Sequence, residues 1–435
     1  MDESIVGLIE PADNFISNRD AVRQKVLFAC FLLSAAFVIF FPGPGRIVKY
    51  IALPILLLLL YREPIFDYLI FPLSFLDNGI GTMLFGKVAL VWFFLLLLLI
   101  RFLVNGQFRF KRGPFLVLCL CTVYFLYGVG EYRMQAFKMT LVVLCTILVA
   151  NTHEDDPEKM NLMLFAIWTS ALLEALTLSL GLTGTLSETD RTTGVGFSDP
   201  NYASSICLYG FCVLMNLDTK HLWSRVLCVL GSLVMALGIF RSGSRSGFLV
   251  LLGVVLIHVF LLNNARKKLR YLLLLLLVVV LVLMVVNSGV LRSAKMDALM
   301  DRWFSMFDAV QENDLDVATT DRSAVLRYYW NYYSHQNILG ILFGGNIPGS
   351  EAMLLAGHGR VTHNVYMDYL LAFGLTFSMI LFFIHFQRVV RYFQAYRETG
   401  LKTSLAVTEL KIAAFLMAMT LAMLRVNMWW FIMLI

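Results

Sequence analysis

The residues of this chain best suited to chemistry are one histidine at the start of an apolar run and several arginines in short polar loops. His363 is followed by Asn364 and then by a new apolar stretch, so its imidazole is expected at a membrane boundary. Imidazole has an unperturbed pKa of about 6.5, which suits proton transfer near neutral pH. Guanidinium groups are permanently charged and bind phosphate oxygens in bidentate fashion. A histidine at such a boundary is often only a hydrogen-bonded structural residue, and that alternative stays open.

Two short loops carry arginines that need an explanation. In the first, Arg191 precedes the pair Asp199-Pro200, which predicts the start of a helix because Asp is a good N-cap and Pro suits the first helical position. A capped loop alone does not explain Arg191, because arginine is disfavoured in external loops. In the second, Arg241 and Arg245 flank small residues. Arg241 is expected to reach toward lipid headgroups, whereas the small neighbours of Arg245 leave room for a ligand.

Composition identifies the elements that must position these groups. Hydrophobic residues make up 59% of the 435 residues, charged residues 15%, and the mean hydropathy is +0.76. These values are typical of an all-α polytopic membrane protein, for which we predict about 12 transmembrane helices. The run 66–80 is short and is a candidate re-entrant segment, and 404–435 is a span followed by a stub. The candidate spans are 26–42, 47–61, 66–80, 83–104, 115–131, 134–150, 160–182, 201–217, 223–240, 246–263, 270–288, 364–386 and 404–435.

The basic residues set the expected orientation of these spans. Lys and Arg concentrate in cytoplasmic loops. Placing the four basic clusters inside puts both arginine loops and the long segment 289–363 on the external side. We therefore predict one membrane domain over residues 1–435, with 289–363 as a large extracytoplasmic loop. The clusters are Arg19/Arg23/Lys25, Arg109/Lys111/Arg112, Arg266/Lys267/Lys268/Arg270 and Arg388/Arg391/Arg397/Lys402.

The large loop is predicted to contain two helices. Apolar residues at helical spacing over 294–310 favour an amphipathic helix on the membrane. A second helix should begin after the cap Asp321, carry Arg322 and continue through Tyr333. The tyrosines around Trp330 are more typical of an interfacial belt than of a sugar-stacking platform. The pair Asp314 and Asp316 has metal-binding spacing but lies in a solvated polar stretch, so no metal is expected. The seven cysteines lie in apolar runs and are predicted to be buried packing residues.

Several short motifs, taken in order over residues 160–390, resemble the O-antigen polymerase/ligase family. Each motif is weak alone, and their order together with the matching topology makes the resemblance specific. They are Arg191 followed by Gly-Phe-Ser-Asp-Pro-Asn201, then Ser244-Arg245-Ser-Gly, Asp321-Arg322, Leu342-Phe-Gly-Gly345, His363-Asn364-Val-Tyr366 and Phe373-Gly374-Leu375.

The resemblance implies a fold, an activity and a set of site residues. The family's enzymes are multi-span glycosyltransferases of the GT-C type that use undecaprenyl-diphosphate-linked glycans and need neither metal nor cofactor. By this resemblance the protein would lie in the bacterial cytoplasmic membrane, with its site on the external face and a chain-length regulator as a partner. The implied catalytic residue is His363, the implied diphosphate-binding residues are Arg191, Arg245 and Arg322, and the implied supporting residues are Asn201, Asn364 and Tyr366.

Three functions remain open at the level of sequence. A polymerase would join lipid-linked glycans, and we favour it on frequency alone. A ligase would instead transfer the glycan to the lipid A core. A transporter or lipid-glycan flippase is less consistent with the sequence, because such proteins commonly show internal repeats and charges near the midplane. The scattered basic residues give no indication of nucleic-acid binding.

Overall fold

In the computed structural model of the protein, 19 segments of the chain are described. All structural statements below refer to these residues. The segments are 12–41, 44–76, 82–83, 88–106, 112–127, 131–153, 156–181, 185–186, 191–192, 199–217, 222–261, 268–269, 301, 304–305, 308–309, 311–312, 322–344, 363–421 and 427–434.

Apart from four two-residue strands, the regular structure of these residues is helical. The strands form two antiparallel hairpins, β1 (Thr82–Met83) with β2 (Val88–Ala89) and β3 (Thr185–Leu186) with β4 (Arg191–Thr192). Residues Gly45–Ile47 and the π-helical turn Val48–Ala52 lead into α2, and the 3₁₀ turn Pro64–Tyr68 leads into α3. The α-helices are α1 (Ala12–Phe40), α2 (Leu53–Leu60), α3 (Ile70–Phe75), α4 (Leu90–Val104), α5 (Arg112–Tyr127), α6 (Glu131–His153), α7 (Pro157–Leu180), α8 (Pro200–Asn216), α9 (Leu222–Arg241), α10 (Arg245–Leu261), α11 (Arg322–Ser334), α12 (Ile338–Phe343), α13 (Val365–Thr399), α14 (Lys402–Met417) and α15 (Asn427–Leu434).

The lengths of the apolar helices are those of a membrane protein. In the described part of the chain, four helices are long and apolar enough to cross a bilayer: Val22–Phe40, Pro157–Leu180, Leu222–Arg241 and Val365–Thr399. Six further apolar helices have 10–17 residues. In the segment predicted as a short span at 66–80, the described residues 66–76 are buried and form the end of the 3₁₀ turn and α3, which ends at Phe75. The protein is therefore a helical membrane protein, and the predicted total of about 12 spans stays a prediction.

Helix starts follow the capping signals of the sequence. Asp199 is the N-cap of α8 and Pro200 is its first residue, which confirms the predicted start. Asp156 caps α7 by accepting hydrogen bonds from two first-turn N–H groups. α11 begins at Arg322, one residue after the cap predicted at Asp321, and ends at Ser334, so this loop helix is also confirmed. The span predicted at 270–288 and the helix predicted over 294–310 lie outside the described residues, apart from isolated positions.

α13 differs from its predicted form. The sequence predicted a span over 364–386 followed by a basic cytoplasmic stretch, but the helix continues to Thr399 and ends at Gly400, whose φ of 70° is left-handed. It contains one break at Gly374, with φ 70° and ψ −178°. Arg388 is only 8% exposed, so this member of the basic cluster is inside the helix packing and not in a solvated loop. The predicted span ended too early because Arg388, which is buried in the helix packing, was taken to lie in a cytoplasmic loop.

The bundle has two polar ends. One, which we call the His363 end, gathers the start of α8, the start of α10, the start of α13 and the carbonyl end of α14. The other, the opposite end, holds the start of α7, the second half of α13 and the start of α14. Between the ends, the Glu409 carboxylate of α14 is fully buried. It accepts a hydrogen bond from Asn216 of α8 and lies 2.6 Å from Nδ1 of His258 of α10.

Candidate functional site

Side-chain hydrogen bonds join the first turns of α8 and α10 at the His363 end. The Asp199 carboxylate accepts from the backbone N–H of Asn201 at 2.8 Å and from its side-chain amide at 2.9 Å. The Asn201 side-chain carbonyl accepts from the Ser244 hydroxyl at 2.8 Å, and both partners are buried. Ser244 also accepts the N–H of Gly247, so it acts as the cap of α10. These hydrogen bonds fix the position of Arg245, the first residue of α10.

The two helices approach closely because small residues face each other. A Cβ on Gly247 would overlap the side chain of Ser204 in α8. Packing of this kind needs glycine at the contact, since any side chain would push the helices apart. The small residues around Arg245 therefore allow the close contact, and the sequence alone had read them as space for a ligand. Arg245 itself is half-buried and makes an interaction within the protein.

His363 and Asn364 are held by the end of α14. The Asn364 side chain caps α13 by accepting from the N–H groups of Tyr366 and Met367, and its amide donates to the carbonyl of Met419 at 3.0 Å. The N–H of Val365 donates to the carbonyl of Ala418 at 2.9 Å. These bonds place the histidine at the boundary between the loop and the helix, as the sequence predicted.

The backbone and the charge environment of His363 are both unusual. Its φ is 47°, the one positive value among the described non-glycine residues. Such conformations cost free energy and are concentrated at functional sites. Burial lowers the pKa of the His363 imidazole below its usual value, the positive charge of Arg322 lowers it further, and the Asp199 carboxylate raises it. The imidazole is therefore close enough to both charges to respond to them, and the lowered pKa favours its neutral form.

The loop helix that carries Arg322 is docked on the first turns of α13. Tyr329 and Tyr333 of α11 are buried together with Met367 and Leu371 of α13 in a small apolar cluster. Trp330 of the same helix is more than half exposed. The aromatic residues are thus divided between packing and exposure, and the interfacial belt favoured from the sequence accounts for only part of them.

A second contact fastens the loop to α13. Gly344 follows α12, and a Cβ on it would overlap the carbonyl oxygen of Ala372. Gly374 lies at the break in α13, and a Cβ on it would overlap the backbone nitrogens of Phe343 and Gly344. The Tyr333 hydroxyl donates to the carbonyl of Ile341 at 2.6 Å and so ties α11 to α12. Two glycine motifs that are 30 residues apart therefore form one contact.

The structure brings most of the predicted site residues to the same end of the bundle. Arg245, Arg322 and His363 are there, each at the start of a helix, with Asn201 and Asn364 holding the backbone around them. Tyr366 points into the core, where its hydroxyl donates to the carbonyl of Phe415. Arg191 lies in β4 opposite Leu186, and its side chain is outside the described part of the structure. The catalytic and binding roles of these residues stay predictions.

The comparison with protein families addresses this region directly. The model of the O-antigen ligase family matches residues 230–383. Residues 230–383 are therefore similar to the O-antigen ligase family. The ligase-family domain begins inside α9 and ends inside α13, so it includes Arg245, Arg322 and His363 and covers about a third of the chain. The family resemblance predicted from the sequence is confirmed. No curated protein is significantly similar to this chain.

Some residues around the ligase-family domain were missed by sequence reasoning. Asp199 was identified only as a helix cap, yet its charge reaches His363. Glu409 of α14 lies beyond the matched domain. It accepts a hydrogen bond from Asn216 of α8, which precedes the domain, and lies against His258 of α10, which is within it. Nothing in the local sequence of Glu409 signals these contacts. Two further buried titratable residues, His385 of α13 and Lys411 of α14, were also missed. In the described part of the chain, no group of three His, Cys, Asp or Glu residues is arranged to hold a metal ion.

Proposed function

We propose that this protein is a membrane glycosyltransferase of surface-polysaccharide synthesis. It polymerises undecaprenyl-diphosphate-linked repeat units, in a GT-C-like membrane domain and on the outer face of the bacterial cytoplasmic membrane. The observation that carries the proposal is the position of the His363 imidazole, which is held at a positive backbone φ near the charges of Arg322 and Asp199. The match to the O-antigen ligase family supports it.

The proposed reaction is attack of an acceptor hydroxyl on the anomeric carbon of the lipid-linked donor. His363 accepts the hydroxyl proton while the new carbon–oxygen bond forms. The bond between the anomeric carbon and the diphosphate oxygen breaks, and the diphosphate leaves with the electron pair. A base must be unprotonated at the working pH, and the lowered pKa of His363 keeps it so.

The leaving diphosphate needs positive charge rather than a proton. Arg245 and Arg322 are permanently charged, and we assign them to the diphosphate together with Arg191. The starts of α8, α10 and α13 point their N–H ends at the same end of the bundle, and helix N-termini favour anions. Cations that are already in place stabilise charge that develops in the transition state. This donor set needs no metal or other cofactor.

The second candidate is a ligase that transfers the glycan to the lipid A core. The description of the matching family as an O-antigen ligase favours it. The two functions differ in the acceptor alone, so both use the residues assigned here. A polymerase would take donor and acceptor glycans on polyprenyl carriers and work with a chain-length regulator. A transporter or flippase would leave the strained His363 without a role.

The test is polymer formation by variants in cells that lack the gene. We expect His363→Ala and Arg245→Ala to abolish the glycan ladder on a gel while the protein stays in the membrane. His335→Ala is the matched control, because His335 is an exposed histidine on the same loop. A ladder of normal length from both site variants would refute the assignment. If the site variants keep the lipid-linked polymer but lose the glycan attached to the lipid A core, the result would identify the protein as a ligase and not a polymerase.

A further inference from the structure

A cavity at the opposite end of the bundle is not used by the proposed reaction. It has a volume of about 220 Å³ and lies between the start of α7, the second half of α13 and the start of α14. Arg391 at this cavity lies 28 positions after His363, and 27 of those positions belong to α13. At about 1.5 Å per residue they span about 40 Å, the thickness of a bilayer with its headgroups. The cavity therefore lies at the headgroup level of the leaflet opposite to the candidate site.

The cavity wall carries two opposite charges. Asp156 supplies a carboxylate, fixed in place because one oxygen caps α7 by accepting from the N–H groups of Glu158 and Lys159. Arg391 of α13 supplies a guanidinium group. Thr403 and Ser404 add hydroxyl-bearing residues from the first turn of α14. A site lined by one anion and one cation is complementary to a ligand that carries both charges.

The positive part of this site extends beyond Arg391. The N-cap position of α14 is Leu401, whose side chain cannot accept a hydrogen bond, so the first N–H groups of this helix have no side-chain cap. Ser404, 5% exposed, lies next to them. A phosphate group bound there would receive N–H and O–H donors as well as the guanidinium charge. The second oxygen of Asp156 lies 3.8 Å from Nζ of Lys159, and such a partly exposed pair is weak enough for the ammonium group of a ligand to replace Lys159 there.

We propose that this cavity binds the headgroup of a phosphoethanolamine-type phospholipid. The phosphate binds Arg391 and the start of α14, and the ammonium group binds Asp156. The volume is below the roughly 300 to 1,000 Å³ of sites for drug-sized ligands, so it holds a headgroup while the acyl chains remain in the bilayer. The remaining wall includes the apolar residues Met160, Ala395 and Leu401, which suit the glycerol end of a lipid. Basic pockets between membrane helices are known to take lipid headgroups.

The experiment is native mass spectrometry of the full-length protein with equal amounts of phosphatidylethanolamine, phosphatidylcholine and phosphatidylglycerol. We expect retention of phosphatidylethanolamine about tenfold above phosphatidylcholine, because a quaternary ammonium has no N–H to donate to Asp156. Arg391→Gln should lower retention of every phospholipid by about tenfold, the effect of one charge-assisted hydrogen bond. Arg397→Gln is the matched control, since this exposed arginine of the same helix is not part of the cavity wall.

A second variant tests the ammonium side without breaking the helix. Asn caps helices as well as Asp does, so Asp156→Asn removes the charge and keeps the cap of α7. It should abolish the preference for phosphatidylethanolamine over phosphatidylglycerol. Equal retention of the three lipids by the unaltered protein would mean adventitious lipid only and would overturn the proposal. So would an unchanged preference in Asp156→Asn, or a loss in Arg397→Gln equal to that in Arg391→Gln.

Discussion

Gly374→Ala should loosen the large loop from the membrane helices and so remove Arg322 from the site. The φ of 70° and ψ of −178° at Gly374 lie in a region open essentially to glycine, which costs another residue about 1–3 kcal/mol. A methyl group there would also overlap the backbone nitrogens of Phe343 and Gly344, and such overpacking costs about 1–3 kcal/mol. The expected loss of stability is therefore about 2–6 kcal/mol, unless the contact opens.

Gly400→Ala separates these two costs. Gly400 also has a φ of 70°, but nothing lies within 4 Å of the position of its Cβ. Gly400→Ala should lower the free energy of unfolding by only about 1–2 kcal/mol, the cost of a left-handed conformation for alanine. The free energy of unfolding would be measured in mixed detergent micelles, and activity by the glycan ladder. We expect activity to fall in Gly374→Ala and to persist in Gly400→Ala. Equal losses of stability, with activity kept in both, would show that the Gly344–Gly374 contact does not hold the loop.

Two further predictions concern charges. Arg322 lowers the pKa of His363 and Asp199 raises it. Arg322→Gln should therefore move the acidic limb of the pH–activity profile to higher pH, and Asp199→Asn should move it to lower pH. Shifts in the same direction, or no shift, would contradict the role of His363 as base. Glu409→Ala removes the buried carboxylate shared by Asn216 and His258 and should lower the free energy of unfolding by about 2–6 kcal/mol, at about 1–3 kcal/mol for each of the two groups. Glu409→Gln keeps an acceptor oxygen and should lose less, and equal losses measured in detergent unfolding would argue against the network.

Local signals in the sequence predicted much of the local structure. The start of α8 at Asp199-Pro200 and the loop helix from Arg322 depend on capping and helical spacing within a few residues, and both are found. The position of His363 at the start of an apolar run also follows from the local pattern. The family motifs added the order of the segments, and the match to residues 230–383 agrees with it.

Contacts between segments distant in the chain could not be predicted from the sequence. His258 and Glu409 are separated by 151 residues, and neither lies in a motif, so nothing marks them as a pair. The two glycine motifs were noticed separately, but their contact depends on how α12 docks on α13. The buried position of Arg388 was missed for a related reason. A basic residue near a helix end is read as solvated unless the helices packed around it are known.

The contacts of Asn364 hold the backbone next to His363, and they bear on which residues can change during evolution. The Asn364 side-chain carbonyl accepts from two N–H groups of α13, and its amide donates to the carbonyl of Met419, so two helix ends hold the residue next to His363. The contacts of Asn364 with the two helices do not depend on the sequence of the loop before it. Under the proposed function, loop substitutions would change which glycan is accepted, and the proton acceptor would stay in place.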